Sequence, residues 1–295
     1  MHRRILGVLA AAAVGAAALT AGASTASAAV SAVSAPAAAP VRQAPAKTAA
    51  VDFTGIVALS NCSGSLVRTP TAADSDPALV LTNGHCYEGG MPSAGQVITN
   101  RSSSRTFSLL NSSGSGTLGT LRATTVLYST MTDTDVTLYK LNRSYASIQQ
   151  SYRTPALQLS LSHPTAGASV RVVSGYWRKI YSCSIDGFAY RLKEGEWTFK
   201  DSIRYTPECN VIGGTSGSPL VDASTGKVVG ANNTINEDGG RCTLNNPCEV
   251  DQSGNITVHP HIGYAQETYT LAACIAPGSV IDFNRAGCSV PRPSS

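Results

Sequence analysis

Charge is scarce in this chain: only 14% of its 295 residues are Asp, Glu, Lys or Arg. The formal net charge of +4 is also confined to one end. Arg3, Arg4, Arg42 and Lys47 lie in the first fifty residues, which hold no acid, so residues 51–295 balance 18 bases against 18 acids. A near-neutral body has no basic field to attract nucleic acid or an anionic membrane, and neither is expected as a partner. No long run of strongly apolar residues occurs either. Ile5 to Leu19 is rich in Ala and falls short of the roughly 18–20 residues that a membrane span needs. No C-x-x-C pair is present, and no cysteine pair stands at finger-like spacing from the histidines, which argues against a zinc site.

What the ends do contain is informative. Met1-His2-Arg3-Arg4 is a short basic start, the Ala-rich apolar run follows, and Ala26-Ser27-Ala28 is a small-x-small cleavage pattern. Residues 1–28 are therefore expected to be a secretory signal, and 29–50, rich in Ala and Pro, a linker or pro-segment. All eight cysteines lie beyond the signal: Cys62, Cys86, Cys183, Cys209, Cys242, Cys248, Cys274 and Cys288. An even number in an exported chain favours disulfides.

From Val51 onward, short segments rich in Val, Thr, Tyr and Ile alternate with clusters of Gly, Asn, Ser and Pro. This texture is all-β. One set of candidate strands runs from Gly55 to Leu141 and a second from Val170 to Gln266, with Lys193-Glu194-Gly195 as a hairpin turn in the second. Asn142 to Thr165, polar and holding Pro155 and Pro164, reads as a connector. Two groups of about six strands fit two antiparallel barrels or a large sandwich. The expected domains are 51–150 and 151–275, followed by an irregular tail, 276–295, pinned by a disulfide. Only Gln266 to Ile275 has a helical cast, and no internal repeat stands out.

Three stretches can carry chemistry. Leu81-Thr82-Asn83-Gly84-His85-Cys86 holds a histidine, Asp133-Thr134-Asp135 two acids, and Gly213-Gly214-Thr215-Ser216-Gly217-Ser218-Pro219 a serine in a tight glycine turn. A serine hydroxyl is a poor nucleophile unless a base takes its proton, and that base needs a third group to fix its tautomer. His85 suits the base, being mostly neutral at pH 7 yet able to accept a proton. Asp135 or Asp133 can supply the carboxylate. The chain order His, Asp, Ser excludes the α/β-hydrolase arrangement, which runs Ser, acid, His.

These segments, together with Cys62-Ser63-Gly64-Ser65-Leu66-Val67, resemble the signature segments of chymotrypsin-like (trypsin-fold) serine proteases. The Gly-Thr-Ser-Gly-Ser-Pro form is closer to the secreted bacterial branch that includes the glutamyl endopeptidases. The resemblance implies two six-stranded antiparallel barrels side by side, with the active site in the cleft between them, and a short C-terminal helix. It implies Ser216 as nucleophile, His85 as general base and Asp135 as orienting carboxylate. The backbone N–H groups of Gly214 and Ser216 would form the oxyanion hole. It further implies a Cys62–Cys86 disulfide; Cys183–Cys209, Cys242–Cys248 and Cys274–Cys288 are pairings guessed from proximity. A secreted monomer hydrolysing polypeptide substrates, without metal or cofactor, is the expected whole.

The departures from the family are as telling. Thr215 stands where animal digestive enzymes carry the acid that receives a new N-terminus, so that activation switch is not expected. Gly230-Ala231-Asn232-Asn233 lacks the histidine that glutamyl endopeptidases use. The pocket is expected to be lined by Asn210, Val211, Ile212, Ala231 and Asn232, with no aspartate at its floor, so a neutral or apolar side chain is the expected substrate group. The alternative is a catalytically silent secreted binding module on a protease fold.

Overall fold

A computed structural model describes residues 50–294 of the protein. The expected signal and all but the last residue of the 29–50 segment lie outside the described residues.

The first sheet is built on β1 (Ile56–Ala58), β2 (Ser63–Arg68), β3 (Pro77–Thr82), β4 (Thr106–Leu110), β5 (Thr117–Thr130) and β6 (Val136–Ser144). They pair antiparallel in the order β1-β4-β5-β6-β3-β2, and β2 returns to β1, closing a barrel. Along β5 the burial pattern changes. Leu121 and Ala123 are buried while Arg122 and Thr124 face water, the alternation of a sheet wetted on one side. From Val126 to Thr130 every residue is buried, because there the strand is covered on both faces. Register shifts between β5 and β6 bend the long strands around the closed wall.

The second sheet uses β7 (Ser169–Ser174), β8 (Lys179–Glu194), β9 (Trp197–Tyr205), β10 (Pro219–Asp222), β11 (Val228–Ile235) and β12 (Gly263–Glu267). The ring runs β7-β10-β11-β12-β9-β8 and closes on β7. Substituting each strand for the one six places earlier gives the order of the first ring, so the same topology occurs twice. The expected all-β fold with two six-stranded antiparallel barrels is what the chain adopts.

Two helices are described. The short C-terminal one, α2 (Tyr269–Ala272), falls in the expected region. The other, α1 (Tyr145–Tyr152), was not expected and lies within the 142–165 stretch read as a connector. The Ser144 side chain accepts the Ser147 N–H at 3.2 Å, capping the helix, and Arg153 ends it at a left-handed φ of 54°. Tyr145 and Ile148, three apart on one face, are the residues it buries.

Each barrel has its own apolar filling: Leu66, Val80, Phe107 and Tyr139 in the first, Val172, Ile203, Leu220 and Ala265 in the second. A third cluster joins Leu81 and Tyr128 of the first barrel, Val173 and Val228 of the second, and Val290 of the tail. The tail is therefore packed as well as bonded. Cys274 is joined to Cys288, Ser279 Oγ donates to the Pro77 carbonyl at 2.5 Å, and the Tyr128 hydroxyl donates to the Pro291 carbonyl at 2.9 Å.

Candidate active site

His85 sits in the turn that follows β3, and Asp135 directly precedes β6, the neighbour of β3 in the first barrel. The Asp135 carboxylate is fully buried and holds the histidine twice. Its Oδ1 accepts the His85 backbone N–H at 2.9 Å, and its Oδ2 lies 2.6 Å from His85 Nδ1. A carboxylate can only accept, so Nδ1 carries the proton and Nε2 keeps its lone pair. The Asn83 side chain donates to the Asp135 carbonyl at 2.9 Å, fixing the strand start. Gly84 is required by this closeness: a Cβ there would lie 2.1 Å from the Thr130 carbonyl oxygen and 2.8 Å from Asp135 Oδ1. A disulfide from Cys86 to Cys62 anchors the same turn.

Asp133, the other acid open to the sequence reading, is engaged elsewhere. Its backbone exchanges hydrogen bonds with Thr198 and Lys200 of β9, at 3.0 and 2.7 Å, and its carboxylate pairs with the Lys200 ammonium. Burial alone would lower the proton affinity of His85. The charge and hydrogen bond of Asp135, with a further contribution from the charge of Glu194, outweigh it and raise His85 above its ordinary value near 6.5.

Ser216 lies in the turn before β10. That turn is tied to the first barrel by the Ser63 N–H, which donates to the Ser216 carbonyl at 2.8 Å. Its hydroxyl donates to the Asn233 carbonyl at 3.4 Å, and His85, Asp135 and Ser216 border one cavity. Gly214 has φ 88°, and a Cβ on it would meet Trp177 Nε1 at 2.8 Å, so glycine is demanded by both conformation and space. Neither the Gly214 nor the Ser216 N–H has a hydrogen-bond partner among the described residues. Thr215 is held from both sides: its hydroxyl donates to the Ile212 carbonyl at 2.5 Å and accepts from Asn232 Nδ2 at 3.0 Å. A neutral residue here is thus braced by neutral partners.

Of the five residues expected to line the pocket, Val211, Ile212 and Asn232 border the cavity. Asn210 and Ala231 do not. Asn210 is exposed at a left-handed φ of 41° that turns the chain after a short 3-10 segment, and Ala231 is fully buried within β11 between β10 and β12. A bulge on β11 between Asn232 and Thr234 breaks the two-residue alternation, which brings Asn233, Thr234 and Ile235 to the cavity as well. Met91, Met131, Trp197 and Leu244 add apolar wall.

Sequence reasoning missed Glu194 altogether. It ends β8 rather than sitting in the turn, is 6% exposed, and borders the cavity. Burial raises its carboxyl above the ordinary range, against hydrogen bonds from the Asn245 N–H at 2.8 Å and the Thr234 hydroxyl at 3.1 Å. Asn245 lies on a loop closed by the Cys242–Cys248 disulfide. Cys183 and Cys209 form the remaining bridge, between β8 and the 3-10 segment that leads to Val211.

Away from the cavity, His163, Asp201 and Glu267 bring an imidazole and two carboxylates together and could offer three ligand atoms to a metal ion. His163 Nε2 lies 3.0 Å from Asp201 and 2.8 Å from Glu267. Burial, with the charge and hydrogen bond of Asp201, pushes the Glu267 carboxyl up to about 9.

The family model of the trypsin-like peptidase domain matches residues 62–230. No curated protein sequence matches the chain. Among solved structures, the chain is similar to the apo protease domain of MamO from Magnetospirillum magneticum, at 14% identity and a TM-score of 0.46. That match covers 75% of this chain and 95% of that one. It is similar to the Rv3671c protease from M. tuberculosis in its active form, at 17% identity and 0.43, covering 81% and 82%. It is also similar to the Nocardiopsis protease, at 13% identity and a TM-score of 0.42, covering 76% and 95%.

Proposed function

The chain belongs to the trypsin-like peptidase domain family, and from that premise we propose that it is an exported serine endopeptidase with Ser216 as nucleophile, His85 as general base and Asp135 as the orienting carboxylate. The observation that carries the reading is the doubly bonded His85–Asp135 pair, which shares a cavity with Ser216 and leaves Nε2 as the free acceptor.

The chemistry follows from these atoms. The Ser216 hydroxyl leaves the Asn233 carbonyl, turns to His85 Nε2 and gives up its proton as Oγ attacks the peptide carbonyl carbon. Negative charge then develops on the carbonyl oxygen. The Gly214 and Ser216 N–H groups, left without partners, are suited to receive it. The imidazolium formed on His85 is stabilised by the buried Asp135 carboxylate and passes its proton to the leaving amine as the C–N bond breaks. Water, activated by the same histidine, releases the acyl group.

Four disulfides in one chain favour an oxidising compartment, which supports export. Among the described residues no helix is long and apolar enough to cross a membrane. A polypeptide is the substrate class. Val211 and Ile212 supply the apolar wall that suits an uncharged hydrocarbon body, while the carboxylates of Asp135, Glu194 and Glu237 make the cavity hostile to an acidic side chain.

A fluorophosphonate probe tests the reading directly. Stoichiometric labelling at Ser216, with peptide hydrolysis lost in a folded Ser216→Ala variant, is the expected result. A folded wild-type chain that takes no label and cleaves no peptide would instead be a binding module. N-terminal sequencing of the protein recovered from culture medium tests export and the expected cleavage after Ala28.

A further inference from the structure

We propose that Glu194 makes this cavity selective for a peptide side chain that carries a positive charge on an apolar stem. The inference rests on the peptidase reading above and names the substrate class of that site.

Among the described residues bordering the cavity, the acids are Asp135, Glu194 and Glu237, and no lysine or arginine borders it. Asp135 is committed to His85 and Glu237 is exposed, so Glu194 is the buried carboxylate free to meet a ligand. Both hydrogen bonds to it, from Asn245 and Thr234, fall on Oε1. Oε2 has no hydrogen-bond partner among the described residues and is not sealed off from solvent. A carboxylate oxygen held in place by its hydrogen-bonded twin, on a side chain that borders the cavity, is a preorganised acceptor for a charge-assisted hydrogen bond.

The surroundings set the rest of the ligand. Met91, Met131, Trp197, Ile212 and Leu244 line the same cavity as the carboxylate and give it apolar wall. A lysine or arginine side chain has both parts, a hydrocarbon stem for the wall and a cationic head for Oε2. A purely apolar chain of equal length would fill the wall and leave the buried carboxylate unpaired, and an acidic chain would meet it with like charge.

The sequence, with no aspartate at the expected pocket floor before Ser216, pointed to a neutral or apolar side chain. Here the acid arrives from β8 instead, and the Cys242–Cys248 loop holds it through the Asn245 N–H. The same contact has a structural consequence, since Glu194 anchors that loop whether or not a ligand binds.

The test separates the two roles. Glu194→Gln keeps an Oε1 acceptor for Asn245 and Thr234 and removes only the charge. We expect the ratio of kcat/KM for lysine-containing peptides to that for matched norleucine peptides to fall about tenfold or more in the variant. Because the quantity is a ratio within one protein, a general loss from loop disturbance or from a shift in His85 cancels. An unchanged ratio, or a wild type that prefers norleucine, overturns the proposal. A second measurement needs no variant: n-butylammonium should compete with substrate in the wild type more strongly than 1-pentanol does, and equal inhibition by the two also overturns it. If the wild type cleaves no peptide at all, the peptidase reading fails. Calorimetric binding of n-butylammonium to the wild type and to Glu194→Gln then still decides whether the carboxylate takes a cation.

Discussion

His85 is pulled in two directions, and the balance has a kinetic signature. Burial works against its protonation, while Asp135 and Glu194 favour it and prevail. The acidic limb of the kcat/KM profile should therefore lie above pH 6.5, activity falling as the pH drops through the raised value and Nε2 fills with a proton. A peptide assay from pH 4 to 9 reads this directly. Asp135→Asn keeps the shape and loses the charge. It should cost about 10,000-fold in kcat, because the amide can present a donor to Nδ1 and stabilise the wrong tautomer. Both acids were visible in the sequence, but their separate duties were not. Asp133 and Asp135 stand two residues apart, and the positive φ of 60° at Asp133 together with its partner Lys200 decides between them. Such a partner, 67 residues away in the chain, leaves no local mark.

At the level of elements, the turn from Gly213 to Pro219 was the most legible part of the site. Small residues, two glycines before the serine and a proline after it announce a tight turn in any context. Its cost for side chains is now concrete. Gly214→Ala must resolve a 2.8 Å approach to Trp177 and a φ of 88°, so the turn must shift and take its N–H groups out of aim. We expect kcat to fall about 100-fold or more while KM moves little, measured by steady-state kinetics on one peptide. The strands were legible for the same reason, a local alternation of Val, Thr and Tyr with turn residues. Helix α1 was not, since only Tyr145 and Ile148 of its eight residues are buried, and Ser147, Gln149, Gln150 and Ser151 interrupt any apolar pattern. Glu194 escaped because β8 runs two residues further than its turn signals suggested. Asn210 and Ala231 fall outside the cavity wall because an αL turn carries Asn210 to the surface and pairing on both sides buries Ala231 within the sheet.

The whole molecule repeats one strand order twice, and no repeat could be read from the residues. Topology is set by which strands pair, and very different side chains satisfy the same pairing so long as each barrel is filled. The rings are tied together near the site, by the Ser63–Ser216 hydrogen bond and by Asp133 lying on β9, and their shared cluster extends the tie to the tail. One group weakens the assembly in a pH-dependent way. Glu267 holds its proton up to about pH 9 in the native state, whereas an unfolded glutamate releases it near 4.3. Between those values the native state binds the extra proton, so the contribution of Glu267 to stability is whole below about pH 4 and is lost as the pH rises toward 9. Glu267→Gln removes that dependence. Its urea midpoint should exceed that of the wild type by a margin that grows from pH 5 to pH 8.5.

The tail gives the protein a direction in time. Val290 belongs to the cluster that covers Tyr128, and Pro291 takes the Tyr128 hydroxyl, so a part of the first barrel is finished by residues more than 160 positions later. In a chain emerging from its N-terminus, the residues of the first ring precede those of the tail, and the apolar face around Tyr128 is covered only when Val290 and Pro291 join it. His85 and Asp135 thus stand in a ring whose apolar cover is supplied by the tail.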